Sequence, residues 1–155
     1  MHFLAHGDEL GVAVAVLPPD HGRKVVGRVV LDYDARCLRR KRLATEGGAA
    51  FLVDLPQTVS LDTGAAFALA DGNAIEVAEA HEPVLRIEGD LPRLAWHIGN
   101  RHCPCEMAED HLVIRADPVL EDMLLKLGAK VEKGFAPFRP EGGAYGHGRT
   151  FGHGH

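Results

Sequence analysis

The chain has 155 residues, 46% of them hydrophobic and 6% aromatic, with a formal net charge of −5. That length fits one ordinary domain or two small ones, with a core filled by aliphatic side chains and alanine. The acidic balance argues against a dedicated nucleic-acid binder, and the longest apolar runs, such as "GVAVAVLPP", are too short to span a bilayer.

The first half reads as β-structure. "GVAVAVL" (11–17), "KVVGRVVLDY" (24–33), "AAFLVDL" (49–55) and "AIEVAEA" (74–80) are strand-like runs rich in valine, alanine and isoleucine. Turn signals separate them: "PPDHG" (18–22), "EGG" (46–48) and "DGN" (71–73). Short strands at this spacing predict a small all-β domain over residues 1–80, a sandwich or barrel-like module. Within it, "RCLRRKR" (36–42) is a sharp basic cluster, read as the solvated face of an amphipathic strand. Cys37 reads as a small buried side chain.

"AHEPV" (80–84) is read as a linker, and the pattern then changes. "VLRIEG" (84–89) predicts a strand. In "DLPRLAWHIGN" (90–100), Leu91, Leu94, Ala95 and Ile98 share one helical face, Asp90 and Pro92 suit the start, and Gly99-Asn100 suits the end. "CEMAED" and "HLVIRA" predict a strand pair. Asp117 can cap a second helix, with Pro118 at its first position, Leu120, Met123, Leu124 and Leu127 as its stripe, and Gly128 as its stop. "AKVEKGF" (129–135) predicts a last strand. The order is β-α-β-β-α-β over residues 84–135, the split ferredoxin-like arrangement, so the fold class is α+β.

Residues 136–155 read as a flexible tail. "PFRPEGGAYGHGRTFGHGH" holds six glycines and three histidines in nineteen residues, too little apolar surface to offset its ordering entropy. Its histidines are His147, His153 and His155. The whole chain has 10 histidines and only 3 cysteines, and its start lacks a basic segment followed by a long apolar one. No signal peptide is expected, and thiols of a reducing cytoplasm are expected rather than disulfides.

The densest cluster of metal-ligating side chains is "GNRHCPC" (99–105), with His102, Cys103 and Cys105. One residue separates the thiols, where thioredoxin-like pairs have two, and no second Cys pair completes a closed zinc site. Imidazole suits nickel, zinc and copper, while thiolate favours zinc or Cu(I). His102 could draw further ligands from the tail histidines; a zinc- or copper-buffering site built on His102, Cys103 and Cys105 is the alternative. His2, His6, His21, His81, His97 and His111 show no ligand spacing and read as surface or satisfied histidines. A metal-dependent hydrolase is the third reading, but no P-loop, nucleophile elbow or H-E-x-x-H motif occurs and no general base stands out.

"WHIGNRHCP" (96–104), "DPVLEDMLLKLGA" (117–129) and "PFRPEGGAYGHG" (137–148), in this order, closely resemble the urease accessory protein UreE family of nickel metallochaperones. "RLATEGG" and "LADG" in the first half also suit that family. The resemblance implies a homodimer that delivers Ni2+ for urease assembly. It implies His102 of both protomers sharing one ion at the two-fold axis, with His147, His153 and His155 adding ligands. It implies as partners the GTPase of urease maturation and the apo-urease complex, and no enzymatic activity. Ala116 and Pro118 stand where some members carry histidines, so no auxiliary site is expected there, and Cys103 and Cys105 are additions to the simplest pattern. A two-fold axis duplicates any residue placed on it, so one histidine per chain yields paired ligands. Such a site leaves positions open, which suits a carrier.

Overall fold

In the computed structural model, which describes residues 8–141, the chain divides between Ala80 and His81 into two units, each with its own sheet. The first unit contains β1 (Glu9–Leu17), β2 (Val25–Leu31), β3 (Cys37–Ala44), β4 (Ala50–Ser60), β5 (Ala66–Leu69) and β6 (Ala74–Glu79). They form one mixed sheet in the order β2-β6-β5-β1-β4-β3. The pairs β1/β4 and β2/β6 are parallel. β5 shows no alternation of polar and apolar positions in the sequence, because all four of its residues are buried.

No helix covers this sheet among the described residues of the unit, so its apolar face is covered by the sheet's own curl. The two edges approach each other: the Glu46 N–H, just past β3, donates to the Arg28 carbonyl on β2 at 2.8 Å. The seam needs a glycine, since a Cβ on Gly27 would lie 2.9 Å from Thr45 Cγ2. Inside, Phe51 and Phe67 sit 5.6 Å apart at their ring centroids, with Val53, Leu69 and Ile75 in the same cluster.

The basic cluster is not uniformly solvated. Arg36 is only 3% exposed; its Nη1 donates to the Leu31 carbonyl at 3.3 Å and its Nη2 pairs with Glu79 at 3.8 Å. Arg40 pairs with Asp54 at 3.5 Å and Arg42 with Glu9, both in the open. Cys37 is half-buried rather than enclosed.

The second unit runs β7 (Glu82–Glu88), α1 (Leu91–Asn100), β8 (Glu106–Met107), β9 (Leu112–Arg115), α2 (Pro118–Lys126) and β10 (Lys130–Ala136), with sheet order β10-β7-β9-β8. Pairing is antiparallel throughout. β7 begins inside the segment read as a linker: Glu82 pairs with Ala136 and Pro83 with Phe135. The proline is tolerated because its carbonyl still serves, accepting from the Ala116 N–H at 3.0 Å. Both helices start as the sequence indicates. Asp90 accepts from the Arg93 N–H, and Asp117 accepts from those of Val119 and Leu120. Leu94 and Ile98 of α1 and Leu120 and Leu124 of α2 pack on Leu85, Ile87, Leu112 and Ile114 of the sheet. Each such side chain contributes about 1.5–3 kcal/mol on burial. No helix among the described residues is long and apolar enough to cross a membrane.

Candidate metal centre

Helix α1 ends just before His102, and the way it ends places that residue. The His102 N–H donates to the Gly99 carbonyl at 2.9 Å, and the Cys103 N–H donates to the Ile98 carbonyl at 3.3 Å. These two bonds define a Schellman cap in which His102 takes the left-handed position, with φ of 54°. It is the one non-glycine residue with positive φ among the described residues. The sequence assigned the stop to Gly99-Asn100, but both still lie within the helix. Helix α2 ends in the same motif with glycine in the position: Gly128, φ 88°, donates to the Leu125 carbonyl and Ala129 to that of Leu124. A β-carbon in this conformation costs on the order of 1–2 kcal/mol. His102 carries that strain and is exposed.

The two thiols beside it turn inward. Cys103 and Cys105 are half-buried and pack against the core of the second unit. Each donates to a nearby carbonyl at 3.6 Å, Cys103 to that of Pro104 and Cys105 to that of Glu106. Burial raises the Cys103 thiol above its usual range, with Arg115 opposing and Asp117 reinforcing. Burial, then the neighbouring Cys103, pushes the Cys105 thiol up to about 11; a backbone bond from Val113 opposes this, while Glu106 and Glu141 add to it. A metal ion would have to displace a proton held more tightly than in an ordinary thiol.

The remaining described histidines have local partners. His21 Nδ1 accepts from the Arg23 N–H at 2.8 Å. His97 meets Trp96 edge-on at 5.0 Å, and His81 lies 5.9 Å from Phe135. His111 Nδ1 lies 2.7 Å from Asp110 Oδ1, and this bond holds the Asp110 carboxyl below its usual range. Among the described residues, no group of three or more His, Cys, Asp or Glu side chains converges to hold a metal ion. His2, His6, His147, His153 and His155 lie outside the described residues.

Two features were not drawn from the sequence. Trp96, the only tryptophan, is 64% exposed on α1, six residues before His102. Its signal was present, since position 96 falls off the 91/94/95/98 stripe. The second is Phe138, fully buried outside any strand or helix.

Residues 12–80 match the family model described as UreE urease accessory protein, N-terminal domain, and residues 77–155 match its C-terminal domain. The chain belongs to the UreE family of urease accessory proteins. A urease accessory protein UreE of Rhodobacter capsulatus is 57% identical over 143 residues, covering 92% of each chain. That of Paracoccus denitrificans is 62% identical over 122 residues, covering 79% of each. That of Cereibacter sphaeroides is 61% identical over 129 residues, covering 83% of this chain and 71% of the relative. As a UreE family member the chain is an accessory protein and not an enzyme.

Proposed function

We propose that the chain is a nickel carrier for urease maturation, binding Ni2+ as cargo through His102 of two protomers at a two-fold axis. His147, His153 and His155 of the C-terminal segment supply further imidazoles. The observation that carries this reading is the strained, exposed His102 at a helix cap where glycine would be more stable. Strain of this kind persists where a side chain is needed at that point. A single protomer's described residues offer no cluster of three ligands, which favours a site completed by a second copy and the tail. Trp96 and Val119, 64% and 78% exposed on the two helices, give the second copy apolar surface to cover.

In this reading the second unit, from His81 on, is a ferredoxin-like metal-binding domain, and the first unit is the β domain that accompanies it. The partners are the GTPase of urease maturation and the apo-urease complex, in the cytoplasm. The inward turn of Cys103 and Cys105 favours a packing role for them over the zinc or copper buffer built on His102 and both thiols. Calorimetric titration with nickel chloride tests the assignment. His102→Ala is expected to lose the tight site, and unchanged tight binding would remove His102 from it.

A further inference from the structure

Strands β10 and β8 are opposite edges of the second unit's sheet. Three inter-strand spacings separate them, about 14 Å. The chain passes from one edge to the other directly after β10. Ala136 still pairs with Glu82 on β7. Soon after, the Arg139 N–H donates to Glu106 Oε1 on β8 at 2.9 Å, and the Glu141 N–H donates to the Cys105 carbonyl at 2.9 Å. The five steps from residue 136 to 141 cover about 17 Å when extended, so there is little slack. Midway, Phe138 is fully buried. Pro137 and Pro140 stiffen the segment.

We propose that residues 137–141 form a strap that moors the root of the C-terminal extension beside the loop carrying His102, with Phe138 and Glu106 as its positioning residues. The proposal rests on the reading of His102 and the tail histidines as nickel ligands. His147 follows Glu141 by six residues, a reach of at most about 21 Å. Cys105, where the strap ends, is three residues from His102, at most about 11 Å along the chain. A root left at the β10 edge would lengthen the tether to His147 from six residues to eleven. Because effective concentration falls as a tether lengthens, the mooring favours capture of the ion by a tail imidazole.

Nickel chloride is titrated calorimetrically into the full-length chain with and without Phe138→Ala. The same pair is measured in a full-length background with His147, His153 and His155 replaced by alanine. The expected result is a loss of about twofold or more in affinity in the first background and none in the second. An equal loss in both backgrounds, or no loss in the first, overturns the proposal. If circular dichroism shows that Phe138→Ala unfolds the unit, Glu106→Ala probes the same mooring from outside the core. It is expected to weaken binding only while the tail histidines are present, with Glu106→Gln, which keeps an acceptor oxygen, restoring it. Unchanged affinity in Glu106→Ala overturns the mooring. Tight nickel binding by His102→Ala would instead strike the ligand assignment on which the proposal rests.

Discussion

His102 and Gly128 occupy the same position in the C-terminal caps of the two helices, both left-handed, at φ of 54° and 88°. Each donates its N–H to a carbonyl in the last turn of its helix, and the next residue closes the second bond of the motif. One fold thus contains both the relaxed and the strained version of a single turn. At α2 the residue type satisfies the backbone; at α1 the backbone tolerates the residue type.

Replacing His102 by glycine should therefore separate stability from function. His102→Gly is expected to raise unfolding stability by roughly 1 kcal/mol, because the left-handed backbone no longer carries a β-carbon. The same variant should lose tight nickel binding. His102→Ala, which keeps the β-carbon, should lose the metal without gaining stability. Urea denaturation paired with nickel titration reads both quantities, and a His102→Gly chain no more stable than the wild type would count against the strain.

Gly128→Ala is the converse substitution. An added β-carbon meets nothing within 4 Å, so its effect is a backbone effect alone. The expected cost is about 1 kcal/mol, with nickel affinity unchanged. A neutral result in denaturant would show that this turn accepts a side chain freely.

The thiols should behave as buried groups. With the Cys105 thiol pushed up to about 11, little thiolate is present at neutral pH, so alkylation by iodoacetamide should be slower than for free cysteine. The folded state favours the protonated thiol. The stability this contributes is complete below the ordinary value of 9.0 and declines as pH rises toward about 11. A Cys103→Ser and Cys105→Ser double variant should keep nickel affinity within about threefold of the wild type, and nickel-edge absorption should show N/O ligands only. Sulfur in that spectrum would restore the thiols as ligands.

Trp96 should matter to self-association and little to folding of the isolated chain. It is exposed six residues before the strained His102, and large aromatic side chains dominate association energetics. Trp96→Ala is expected to weaken dimerisation about tenfold or more, read by sedimentation equilibrium, since truncating such an anchor costs over 1 kcal/mol. An undiminished dimer would place the two-fold contact elsewhere.

Local signals in the sequence located most elements, because local chemistry fixes them. Asp90 and Asp117 cap their helices as read, and Gly128 stops α2. What stayed hidden depends on tertiary context. β5 has no alternation because both its faces are buried, and β7 starts at a proline-containing segment that composition assigns to a linker. Arg36 looks like one more member of a solvated basic run until Glu79 is brought beside it from a distant strand. At the site, His102 was legible as a ligand type, but its strain was not. A left-handed histidine violates local preference, and only the two cap bonds show that it does. The inward turn of Cys103 and Cys105 and the burial of Phe138 likewise follow from packing against residues remote in sequence.

The most direct test of a His102 pair sharing one cargo ion is the metal content of the intact dimer by native mass spectrometry at limiting nickel. The expected result is one tightly held ion per two chains in the wild type and none in His102→Gly, with the dimer preserved in both. One tight ion on each chain, or a tight ion retained by His102→Gly, would contradict a shared site built on that residue.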